Sequence, residues 1–132
     1  LAWEYPEIMD TVNTLKDWAK IDPRIKLHHG FWNNQDMVTV FKQINGVICT
    51  YDINAYRYKS SGLIWMLAFF QKPLVISGEC WLSREAGRLN VPLAIDKSLQ
   101  LSSLLEVKAP NKLSEKYASS LYKSLSEWLL SH

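Results

Sequence analysis

Three short runs of strand-forming, mostly apolar residues constrain the fold of this chain more than any other feature. They lie at residues 47–50, 74–77 and 92–95, and stretches with helical patterns separate them. Strands that are apolar on both faces are typical of a parallel sheet covered on both sides. The alternating stretch 24–28 is predicted to be a further strand. The sequence therefore predicts an α/β fold.

Helical patterns occupy most of the remaining chain. Apolar residues recur at helical spacing from Ile8 to Trp18, and Pro23 ends that segment. Asn33 or Asn34 is expected to cap the next helix, and Ser60 or Ser61 the wholly apolar helix 63–70. Further helices are predicted at 82–89, at 98–107 and after Pro110. The side chains expected to face inward are Met37, Val38, Phe41 and Ile44 in the second helix, and Leu113, Tyr117, Leu121, Leu125 and Trp128 in the last.

This alternation of strands and helices predicts a Rossmann-like three-layer α/β/α sandwich with a mainly parallel sheet. A length of 132 residues fits a single domain, residues 1–132. A net charge of +2 gives no field directed at nucleic acid. The longest apolar run has eight residues, whereas a membrane span needs about 20. This run is too short to span a membrane, so we expect no membrane span. The two cysteines fit no zinc-binding spacing, so we expect no bound metal.

The loop before the apolar helix carries the strongest functional signal. Residues 53–78 contain no acidic residue but include Arg57, Lys59 and Lys72. Ser60, Ser61 and Gly62 open the helix, where unpaired backbone amides attract anions. Serine hydroxyls and nearby cations would add hydrogen bonds. The pattern predicts a phosphate-binding loop; the alternative is a serine cap beside solvated basic side chains.

The order of these motifs resembles the donor-binding, C-terminal half of a GT-B glycosyltransferase of the group 1, family 4-like kind. The resemblance rests on a strand ending at Tyr51, a loop, Ser61-Gly62 at a helix start, an apolar helix and the segment 72–76. Asp22-Pro23, the strand expected to end at Gly30 and the long last helix also fit. The resemblance covers roughly residues 8–132.

The resemblance implies a cytoplasmic domain of polysaccharide biosynthesis that binds a nucleotide-diphosphate sugar and needs no tightly bound metal or other cofactor. In that family the Ser-Gly amides hold the diphosphate, and the loop after the preceding strand lies near the nucleobase. Carried over, the site residues are Ser60, Ser61, Gly62, Arg57, Lys59, Tyr51, Asp52, Gly30, Phe31 and Trp32.

The chain also departs from the family pattern. Tyr58 and Met66 stand where many retaining members have glutamates, and Thr50 replaces a common proline. Asp52 is the one nearby acid that is a candidate for handling the donor sugar. We expect this chain to lack the family's first strand–helix–strand unit and its N-terminal acceptor domain, and so to be inactive alone. Self-association through an edge strand or the Trp3/Tyr5 end is then expected.

The alternative function is a non-catalytic Rossmann-like interaction or regulatory module.

Other candidate residues are His28-His29, predicted to be structural or solvent-facing, and Glu79 and Trp81, which are candidates for lining the cleft. Cys49 is expected to fill space in a buried strand, and Cys80 is expected in a loop where it can be exposed.

Overall fold

The computed structural model of the chain describes residues 6–28, 30, 32–107 and 115–130. Residue contacts group the chain into two compact units, Leu1–Asp36 and Met37–His132. Within the described ranges, no helix is long and apolar enough to cross a membrane.

The first unit contains the predicted opening helix. A 3₁₀ turn at Pro6–Ile8 leads into helix α1, Met9–Ile21. The helix ends where the Asp22 amide donates to the carbonyl of Trp18, just before Pro23. Helix α2, Asn34–Gln43, begins in this unit, and the Oδ1 atom of Asn33 accepts the Asp36 amide at 2.8 Å. Asn33, one of the two predicted candidates, is therefore the cap of α2.

The predicted strand at 24–28 is wrong, because these residues form a turn and irregular chain. The Asp22 carboxylate binds both the backbone amide of Arg24, at 3.0 Å, and its guanidinium, at 2.6 Å. The Ile25 amide donates to the Asp22 carbonyl. This arrangement holds the pKa of Asp22 below its ordinary value through the Arg24 side-chain and backbone hydrogen bonds. An Asp-Pro pair that folds back on its own neighbours favours a turn over an extended segment.

The second unit is built around the three predicted strands. They form one parallel sheet in the order β1-β2-β3, with Val47 opposite Leu74 and Leu74 opposite Leu93. The strands are β1 (Val47–Cys49), β2 (Leu74–Ile76) and β3 (Leu93–Ile95). Every residue of β2, the central strand, is buried. The prediction of an α/β fold with a parallel sheet is confirmed for this part of the chain, and the layout is compatible with a Rossmann-like sandwich.

The helices that follow β1 among the described residues are α3 (Leu63–Phe70), α4 (Trp81–Arg88), α5 (Leu101–Glu106) and α6 (Glu115–Leu130). Helix α3 packs against both α4 and α6. Its residues Ile64, Leu67 and Ala68 are fully buried, whereas Phe69 is 42 % exposed. Although its sequence is wholly apolar, helix α3 is therefore deeply buried on one face only.

Several expected details of the helices need correction or lie outside the description. Val38 of α2 is 37 % exposed rather than inward, while Phe41 is buried. Helix α5 begins at Leu101 and not at Ser98, because the Asp96 carboxylate accepts the amides of Ser98 and Gln100 and folds that segment into a turn. In α6, Leu121 is buried as predicted and Leu125 is half-buried. Leu113, and the side chains of Tyr117 and Trp128, lie outside the described residues.

Candidate functional site

The loop 50–62 runs from the carboxyl end of β1 to the start of α3, where parallel α/β sheets commonly bind ligands. Its two ends are joined by a hydrogen bond between the hydroxyls of Tyr51 and Ser61, 3.1 Å apart. The Tyr51 ring also stacks on that of Tyr56, with centroids 4.1 Å apart and an interplanar angle of 20°. The structure thus brings together two of the predicted site residues, Tyr51 and Ser61.

The hydroxyl of Tyr51 stays neutral over the ordinary pH range. Partial burial raises the pKa of Tyr51, and the hydrogen bond from Ser61 only partly opposes that effect. The Tyr51–Ser61 contact is therefore a bond between two neutral groups, in which each hydroxyl is able to donate. The contact fixes Ser61 without using any charge of the site.

At the start of helix α3, some backbone amides have a hydrogen-bond acceptor in the described part of the chain and others have none. The amides of Ile64 and Trp65 donate to the carbonyls of Ser61 and Gly62, at 3.3 and 3.2 Å. The prediction that Ser60 or Ser61 caps this helix is wrong, because the N-cap residue is Gly62, with φ −60° and ψ −18° and no side-chain cap. The Oγ atom of Ser61 accepts the amide of Leu63 only at 3.4 Å. Among the described residues, the amides of Ser60, Ser61 and Gly62 have no hydrogen-bond acceptor, which is the arrangement that attracts an anion.

Two exposed cations, Arg57 and Lys59, lie just before these amides in the chain. The Arg57 guanidinium is 5.6 Å from the Tyr58 ring centroid, and the Lys59 ammonium is 5.9 Å from that of Tyr56. Such contacts are worth about 0.5–1 kcal/mol when exposed. Neither cation forms an ion pair with any residue that the structure describes. The charge of the loop is therefore left without compensation.

A third cation at this loop, Arg84 of α4, was missed by the sequence prediction. Its Nη2 atom donates to the Arg57 carbonyl at 2.6 Å. The Trp81 amide at the start of α4 donates to the neighbouring carbonyl of Tyr56 at 3.2 Å. The sheet topology is the signal that would have indicated Arg84. Helix α4 follows β2, the neighbour of β1, so the β1–α3 and β2–α4 loops lie at the same edge of the sheet.

Asp52 stabilises the loop itself. Its Oδ1 atom accepts the amides of Asn54 and Ala55, at 2.8 and 3.2 Å, and its carbonyl accepts the Tyr56 amide. An aspartate that binds amides two and three residues on fixes a local turn. These hydrogen bonds explain why an aspartate stands at position 52, without a role for it in binding the donor sugar.

The residues at the family's glutamate positions have different surroundings. The Tyr58 side chain is 79 % exposed. Met66 is partly buried and packs against the hydrophobic core. Neither side chain has a carboxylate that would act as an acid, a base or an anionic ligand for the donor sugar.

The residues expected near a nucleobase lie in the first unit. Gly30 has φ +91°, a left-handed conformation that L-residues rarely adopt, and an added Cβ would meet nothing within 4 Å. The Trp32 and His28 rings are 4.9 Å apart at an interplanar angle of 48°. Phe31 and His29 lie outside the described residues, as do Trp3 and Tyr5.

The two cysteines are both buried and reduced. Cys49 in β1 is 4 % exposed, as predicted, and burial raises the pKa of its thiol. The prediction that Cys80 can be exposed is wrong, since its exposure is 0 %. The Ser83 hydroxyl accepts the Cys80 amide and donates to the Cys80 carbonyl, which draws this residue into the start of α4. Nearby, Glu79 is exposed and Trp81 half-buried.

Within the described ranges, no three His, Cys, Asp or Glu side chains are close enough together to hold a metal ion. Comparisons of the chain with protein-family models, curated protein sequences and solved structures find no match. The geometry of the loop and the resemblance in motif order are therefore the features that point to a function.

Proposed function

We propose that this α/β domain binds a nucleotide-diphosphate sugar at the loop 50–62, as the donor-binding domain of a GT-B glycosyltransferase. The observation that carries the proposal is the set of amides at Ser60, Ser61 and Gly62 beside the cations Arg57 and Lys59, none of which has a hydrogen-bond acceptor or an acidic partner among the described residues. A diphosphate supplies both the acceptor oxygens and the negative charge that this arrangement lacks.

Charge favours a phosphate ligand over a neutral one. Between Ile53 and Gly78 no carboxylate offsets the basic side chains. Of the two bordering acids, Asp52 binds amides of its own turn, and Glu79 forms no ion pair with a residue that the structure describes. An anion at the start of α3 gains from both the helix dipole and the cations, whereas a neutral sugar alone gains from neither.

The proposed role is donor binding and not the whole transfer reaction. Tyr58 and Met66 supply no carboxylate at the positions where retaining relatives of this fold use glutamate. In the family that the motif order resembles, a separate domain holds the acceptor glycan or lipid. The same two residues favour the second candidate function, a non-catalytic Rossmann-like interaction or regulatory module.

Amide NMR tests the proposal directly on this chain. Uridine and guanosine diphosphates, added to millimolar concentration, should shift the amide signals of Ser60 to Leu63 before those of α6. Uridine without phosphate is the matched control and should leave these four signals unmoved. If neither diphosphate moves any of them, the site is assigned wrongly and the proposed function fails with it.

A further inference from the structure

We draw no further inference here: the strongest candidate, the exposed apolar face that Ile8, Leu15 and Trp18 form on helix α1 and its N-cap residue, carries none, because nothing in the described part of the chain shows what covers it.

Discussion

The hydroxyls of Tyr51 and Ser61 lie 3.1 Å apart, although ten residues separate them in the chain. Tyr51 follows the end of β1, and Ser61 precedes the start of α3. The bond therefore closes the base of the loop whose amides and cations form the candidate site. Ile53 adds a second anchor, since its Cδ1 atom would lie only 2.8 Å from a Cβ at Gly78.

The Tyr51→Phe variant should lower the free energy of unfolding by about 0.5–1.5 kcal/mol, the usual net contribution of one hydrogen bond. The ring and its stacking on Tyr56 are retained, so the loss reports on the hydroxyl alone. Urea denaturation measures it. Tyr122→Phe is the control, because that side chain is 64 % exposed on α6, and its unfolding midpoint should stay unchanged. Equal midpoints for all three proteins would mean that the Tyr51–Ser61 contact contributes nothing.

The same tyrosine predicts a loss of stability at alkaline pH. Burial raises the pKa of both Tyr51 and Cys49 above their ordinary values of 10.0 and 9.0. Above those ordinary values the unfolded chain loses these protons while the folded chain keeps them, so stability is full below them and falls as pH rises. Urea midpoints measured at pH 8 and at about pH 10.5 should show this decline. The decline in the urea midpoint should be smaller in Tyr51→Phe than in the unchanged chain. An equal decline in the two proteins would show that groups other than Tyr51 cause the loss of stability.

The parts of the fold that the sequence predicts well are those with a compositional signal. The strands Val47–Cys49, Leu74–Ile76 and Leu93–Ile95 stand out because a strand buried on both faces is apolar throughout. The stretch 24–28 has the alternation of a strand, but alternation over so few residues does not show whether a partner strand exists. Hydrogen bonds that Arg24 donates to the Asp22 carboxylate stabilise a turn at the start of this stretch instead.

The residues of the candidate site differ in the same way, because some have a compositional signal in the sequence and others have none. Ser61 and Gly62 were predicted because a polar, acid-free loop before an apolar helix is visible in the sequence. Arg84 was not, because an exposed arginine on a short helix has no distinguishing pattern, and its contact with the loop depends on which loops meet at one edge of the sheet. Cys80 was misjudged for a related reason, since its burial depends on the bonds between its backbone and Ser83.

Gly46 should tolerate no larger residue. A Cβ at this position would lie 2.7 Å from Leu104 Cδ2 and 3.0 Å from the Pro73 carbonyl oxygen, and that oxygen also accepts the Val47 amide. Gly46→Ala should therefore lower the free energy of unfolding by about 1–3 kcal/mol, a typical cost of overpacking.

The control for Gly46→Ala is Gly87→Ala. Gly87 lies within α4, and an added Cβ would meet nothing within 4 Å. This variant should gain about 0.5–1 kcal/mol, because alanine is the better helix former. Thermal or urea unfolding of both variants measures the pair. Similar changes in the two would contradict the close approach at Gly46.

Gly62→Ala should separate stability from ligand binding. With φ −60° and ψ −18°, the backbone at Gly62 suits any residue, so alanine should leave stability unchanged or raise it by up to about 1 kcal/mol. Its methyl group should nevertheless hinder a phosphate from approaching the amides of Ser61 and Gly62. Melting temperature and nucleoside diphosphate affinity are measured on the same variant. A clear loss of stability with affinity intact would make Gly62 a packing residue.

The burial of both thiols gives the chain an internal chemical reporter. Cys49 and Cys80 are the only cysteines in the sequence, and neither side chain is accessible in the folded state. A thiol-reactive dye would therefore label only molecules that have opened. Since Cys49 lies in the sheet and Cys80 at the start of α4, the rates at which the two react would distinguish opening of the whole unit from local fraying of one helix.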